Sequence, residues 1–194
     1  MFTPKILETN SLSCFFVAHH AGLQEQCMLA AKYSLREPLI PGRFEGIQLI
    51  SSIDLLALLT YHQNCANAVL ELQTDLTWIE SHYQQYNATT WMVGCGACKL
   101  GWTPSYRLFG NQVPLWWEEF MTDTFKDLRN RPCAQIVEKG AEDAIQKFRR
   151  TYTRCSRCPS MIADGNREFV TLFTNKIEEM TAKVSPILFT NRLP

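Results

Sequence analysis

Two cysteine pairs of the form C-x-x-C, Cys95-Gly96-Ala97-Cys98 and Cys155-Ser156-Arg157-Cys158, constrain this chain more than any other feature. Two intervening residues let both sulfurs of a pair reach one ion at about 2.3 Å, and two such pairs complete a tetrahedron around zinc. Each pair lies among turn-forming residues, as a metal knuckle requires. The spacer between the pairs is 56 residues, against roughly 15–20 in a zinc ribbon. An inserted helical region can fill it, because closure entropy grows only slowly with loop length. The expectation is therefore a zinc ion held by Cys95, Cys98, Cys155 and Cys158. It would be structural, since four thiolates leave no position open for water or substrate. Unligated thiols and a disulfide are the competing readings. Cys133, in Arg131-Pro132-Cys133, either replaces one ligand or packs, and the part played by Cys65 is open.

A thioredoxin-like dithiol would place its cysteines at the start of a helix within a βαβ unit. Lys99-Leu100-Gly101-Trp102-Thr103-Pro104 follows the first pair and breaks a helix instead. Thiol-disulfide oxidoreduction is thus the weaker use of the motif.

The rest of the chain reads as helices punctuated by proline. Leu23, Cys27, Ala30, Ala31 and Ser34 form a narrow small-residue stripe suited to close helix packing, ended by Pro38 and Pro41-Gly42. The first helix is expected after some dozen residues. Ser51 and Asp54 form a capping box for a long helix running to about Thr77. It carries Leu55, Leu58, Leu59, His62, Ala66, Val69 and Leu70 at helical spacing. Gly94 to Asn111 reads as irregular chain or a short hairpin, and Pro114 as a first-turn residue. Trp117, Phe120, Met121, Thr124 and Leu128 then mark a helix stopped by Pro132. Ala141, Ala144, Ile145, Phe148 and Tyr152 mark another. Asp164-Gly165-Asn166 precedes a third, with Phe169, Leu172, Phe173, Ile177, Met180 and Val184, ended by Pro186. The fold class is mainly α: a helical linker-type bundle over 1–83, then a small zinc-stapled helical subdomain over 84–194.

Composition narrows the function. The 194 residues are 46 % hydrophobic with 19 basic and 19 acidic residues, enough for a core and without the net charge that steers a whole molecule to nucleic acid. Residues 1–94 carry four basic and eight acidic residues and the remainder fifteen and eleven, so the halves are −4 and +4. No apolar run reaches the roughly 18 residues of a membrane span, and Leu12 to Ala18 stops at His19-His20. No secretory leader is recognisable. An intracellular protein, cytoplasmic or nuclear, is expected, in which Asn87-Ala88-Thr89 has no meaning as a glycosylation acceptor. Arg149, Arg150, Arg154 and Arg157 flank the second cysteine pair with Tyr152 among them. They form either a solvated helix face, the favoured reading, or a phosphate-binding cluster. His62 belongs to an apolar stripe, and His19, His20 and His82 lack partners at metal spacing. No H-E-x-x-H, P-loop, G-x-G-x-x-G or G-x-S-x-G occurs. Glu118-Glu119 and Glu178-Glu179 read as solvent-facing charges, and Trp116-Trp117 with Phe120 as core.

In order along 15–184, several segments resemble the C-terminal region of fungal, especially mushroom-type, BTB/POZ domain proteins. They are Ala30-Ala31-Lys32-Tyr33-Ser34-Leu35 before Glu37-Pro38-Leu39, Tyr61-His62-Gln63-Asn64-Cys65, the Cys95/Cys98 pair and Trp116-Trp117-x-x-Phe120. Arg131-Pro132-Cys133, the Cys155/Cys158 pair and Arg167-Glu168-Phe169 before Leu172-Phe173 complete the series. The resemblance implies a helical region that follows a BTB domain, similar in its opening helices to a BACK-type linker. BTB domains dimerise and many of their proteins are scaffolds or adaptors for cullin ubiquitin ligases. The BTB fold itself has no counterpart in these 194 residues, so neither property carries over. The expected function is a non-enzymatic protein-interaction module, with nucleic-acid binding through the arginine cluster as the alternative.

Overall fold

A computed structural model describes residues 2–38, 51–94, 101–151, 155 and 157–184. It is mainly helical: α1 (Pro4–His20), α2 (Gln24–Ser34), α3 (Ser52–Thr74), α4 (Thr77–Tyr83), α5 (Leu115–Leu128), α6 (Ala134–Thr151) and α7 (Cys158–Lys183). A 3₁₀ helix, Tyr86–Val93, and a two-stranded hairpin, β1 (Trp102–Leu108) with β2 (Asn111–Pro114), connect the two helical groups.

The opening helix starts at Pro4, well before the sequence reading placed it, and is kinked at Asn10 (φ −142°, ψ 42°). Its buried stripe is Leu7, Ser11, Cys14, Phe15 and Ala18, to which α2 returns Cys27, Ala30, Ala31 and Ser34. Small side chains on both helices let the axes approach closely. Leu23, expected in that stripe, lies just before α2 and is exposed.

The capping of α3 follows the sequence expectation: the Asp54 amide donates to Ser51 Oγ at 3.1 Å. The helix stops at Thr74 rather than Thr77, because Asp75 takes an extended conformation and its carboxylate accepts from the Thr77 amide at 2.9 Å. A short helix α4 begins there. His62 is a core histidine, as expected. Its Nε2–H donates to the Glu37 carbonyl at 3.1 Å, while Nδ1 is buried with no hydrogen-bond partner among the described residues.

In the hairpin, Leu108 pairs with Asn111 across the two residues Phe109 (φ 51°) and Gly110 (φ 74°). Two consecutive positive φ values match the right-handed twist of the strands. The Glu80 carboxylate accepts from the Phe109 amide, and Gln73 bonds the Tyr106 hydroxyl at 3.2 Å, which docks the hairpin on α3 and α4.

Helices α5 and α6 run antiparallel, with Trp116 beside Phe148 (5.8 Å between ring centres), Glu119 beside Lys147 and Thr124 against Gly140. Pro114 stands one position outside α5, as its N-cap. The third amphipathic helix is longer than the sequence suggests: α7 passes unbroken through Asp164-Gly165-Asn166. Gly165 is required by packing, since a Cβ there would lie 2.3 Å from Cγ of Trp91. Around it Trp78, Trp91, Trp117, Phe120 and Phe173 each approach Phe169 with ring centres 5.7–6.2 Å apart. Trp78 comes from the first helical group, so the buried cluster is continuous between the groups.

Candidate metal centre

Of the expected zinc ligands, Cys155 and Cys158 lie among the described residues, and Cys95 and Cys98 lie outside them. Cys158 is the first residue of α7, followed by Pro159, which suits the first turn because its missing N–H has no intrahelical acceptor. Cys158 is fully buried and Cys155 half-buried. The amide of Cys158 donates to Cys155 Sγ at 3.3 Å. That hydrogen bond holds the Cys155 sulfur against the opening turn of α7. Among the described residues no three Cys, His, Asp or Glu side chains converge on one point.

The chain on both sides of the first cysteine pair is fixed. Before it, Trp91 packs over Gly165, seven residues into α7 from Cys158, and Met92 accepts from Trp116 Nε1 at 2.9 Å. After it, Gly101 accepts from the Leu115 amide at 2.7 Å, at the start of α5. The start of α5 abuts the end of α6 through Trp116 and Phe148. The antiparallel hairpin of α5 and α6 thereby absorbs most of the 56-residue spacer. It brings the flanks of both pairs to one end of the helical group.

Cys133 is not at that end. It precedes α6 and lines a cavity with Lys32, Glu178 and Thr181. Twenty residues of α7 separate Glu178 from Cys158, about 30 Å at 1.5 Å per residue. It therefore packs rather than replacing a ligand. Burial raises its thiol above the usual range, outweighing the amides of Ile136 and Gln135 and the nearby guanidinium of Arg36. Cys65 is buried in α3, and burial pushes its thiol up to about 11. It bonds Tyr61, whose hydroxyl feels the Glu178 carboxylate, so Cys65 too belongs to the far end of α7. Cys27 is pushed up to about 12, chiefly by burial with the Asp54 carboxylate adding, and Cys14 is raised by burial. These four thiols stay protonated at neutral pH and serve as small apolar groups.

Arg149 and Arg150 are exposed in the last turn of α6, where cations complement the helix dipole. Arg157 is exposed just ahead of α7, and Arg154 lies outside the described residues. Glu119 and Glu178 are not plain solvated charges: each holds a lysine from another helix, Lys147 and Lys32 respectively. His82, unpromising as a ligand, sits 3.3 Å from the Glu168 carboxylate on α7. No described helix is long and apolar enough to cross a membrane. No protein-family model, curated protein or solved structure matches this chain.

Proposed function

We propose that this protein is a non-enzymatic protein-interaction module whose second half is stapled by a structural zinc ion on Cys95, Cys98, Cys155 and Cys158. The observation that supports the staple is the convergence just described. The flanks of the first pair, at Trp91, Met92 and Gly101, reach the end of the helical group where Cys158 opens α7. A hydrogen bond from the Cys158 amide to the Cys155 sulfur already orders the second pair. A zinc ion there would tie the hairpin side of the group to the start of α7, a join that otherwise rests on packing around Trp91 and Trp116. The ordered likeness to the region after the BTB domain of fungal proteins supports the interaction role.

Metal analysis of protein purified without chelators tests the staple, with about one zinc per chain expected. Structural zinc binding is folding free energy, on the order of 10 kcal/mol in small zinc domains. Cys155→Ser is therefore expected to lower stability by several kcal/mol and to abolish zinc binding. Native melting and zinc content in that variant would refute the staple.

The exposure of Arg149, Arg150 and Arg157 favours a second reading, binding of nucleic acid at the same end. Affinity would then fall steeply with salt, by about one counterion per phosphate contacted. No retention of DNA or RNA on a filter at low salt removes it.

A further inference from the structure

We infer that the groove between α5 and α6 is a docking site for a basic, amphipathic helical segment of a partner protein, an inference that rests on the interaction-module reading. The groove encloses about 360 Å³. Its floor is apolar, built from Trp116, Phe120, Ile136 and Phe148, with Leu115 45 % exposed at its mouth. Its walls are acidic. Glu119, Asp123 and Asp127 recur at every fourth residue of α5 and so form one stripe along the groove. Asp143 adds a carboxylate from α6.

The cations lining the groove are Lys139 and Lys147, and Lys147 is already held by Glu119 at 2.7 Å. Arg131, beyond the end of α5, reaches Asp127 at 3.7 Å. Asp123 and Asp143 are exposed and form no ion pair among the described residues. From Leu115 to Asp127 the groove runs about 18 Å at 1.5 Å per residue, the length of a helix of roughly 12 residues. Such a helix would place apolar side chains at i, i+3/i+4 and i+7 on the floor, the helix-in-groove mode of recognition. Lysine or arginine on its flanks would meet Asp123 and Asp143. A phosphate backbone would meet four carboxylates here, so the same groove disfavours nucleic acid.

The test uses full-length protein and a fluorescent 14-residue peptide of leucine and lysine at heptad spacing, followed by anisotropy. At about 0.1 M ionic strength, where screening acts over about 10 Å, the wild type is expected to bind. The double change Asp123→Lys with Asp143→Lys should weaken binding about tenfold. Glu138→Lys with Glu142→Lys makes the same charge change on α6 outside the groove, and should alter affinity less than about twofold. Equal weakening by both pairs means unspecific attraction and overturns the proposal, as does absence of binding by the wild type. Hydrogen exchange of the wild type with bound peptide needs no variant: slowing is expected along 115–127 and 136–148, and slowing confined to other helices overturns the site. Zinc-loaded, helical protein that ignores the peptide sinks this inference and leaves the staple standing. Peptide bound in the groove of zinc-free protein does the reverse.

Discussion

The helices before the 3₁₀ segment and those after it bury apolar surface by different means. Where α1 meets α2, the buried positions are Leu7, Ser11, Cys14, Phe15 and Ala18 on α1 and Cys27, Ala30, Ala31 and Ser34 on α2, small side chains apart from Leu7 and Phe15. Where α5, α6 and α7 meet, they are Trp116, Trp117, Phe120, Phe125, Phe148, Phe169 and Phe173. Small side chains bring helix axes towards the short end of the 8–10 Å range. Dispersion between the backbones is then gained with little side-chain area. Large rings instead fill the wider space where a hairpin, a 3₁₀ helix and three long helices converge. Edge-to-face and offset contacts there add about 0.5–1.5 kcal/mol per pair beyond area burial. The two regions should therefore fail in opposite directions, one on enlargement and the other on truncation.

The largest effect is expected at the centre of the ring cluster. Phe169→Ala removes a fully buried ring that meets five other aromatic side chains and should cost about 4 kcal/mol in chemical denaturation. A cost near that of a surface substitution would show that the rings do not hold the group together.

At the small-residue contact, Ala31→Leu should cost about 2 kcal/mol through overpacking against α1. Leucine introduced instead at exposed Gln146 on α6, as Gln146→Leu, is expected to be nearly neutral, so a large cost confined to Ala31→Leu points to crowding.

Gly165→Ala sharpens the comparison within the aromatic region. In an ordinary helix interior that change stabilises by up to about 1 kcal/mol. Here the new Cβ would strike Trp91, so a net loss of about 1 kcal/mol is expected, accompanied by a change in tryptophan fluorescence. A gain in melting temperature would remove the notch from the account of α7.

The smallest effect concerns acid. Burial lowers the pKa of His62 below the usual histidine value, the main-chain bond to Glu37 opposing it. The unfolded chain takes up its proton near pH 6.5, whereas the folded chain resists until lower pH. This contribution is thus fully present above about pH 6.5 and is lost as pH falls from there through the depressed folded value. His62→Gln should flatten the stability curve below about pH 6.5. An unchanged slope would place the acid sensitivity elsewhere.

Much of the helical architecture is legible along the chain because it depends on spacing. The stripes Cys27-Ala30-Ala31-Ser34 and Phe169-Phe173-Ile177 and the Ser51/Asp54 cap follow from 3.6-residue periodicity and local hydrogen bonding. The early start of α1 is not legible, since its first turns mix polar and apolar residues without a clear stripe and Pro4 alone marks the opening. Nor is the continuity of α7 through Asp164-Gly165-Asn166. Those residues favour turns in isolation, and only the fit of Trp91 over Gly165 shows why a helix tolerates them. The candidate site divides in the same way. Spacing singles out Cys155 and Cys158 as a pair, but the exclusion of Cys133 and Cys65 comes from the length of α7. The acidic groove also escapes a linear reading, because Asp123 and Asp143 belong to different helices.

Local properties are the ones readable along the chain: where most of the helices lie, the cap at Ser51, and which cysteines stand two residues apart. Those properties rest on interactions within one or two turns. The tertiary structure alone decided which faces meet, that the α5–α6 hairpin folds the long spacer back on itself, and that Trp78 joins the two helical groups through Phe169. These outcomes depend on volumes and charges brought together from distant positions, and no local spacing encodes them.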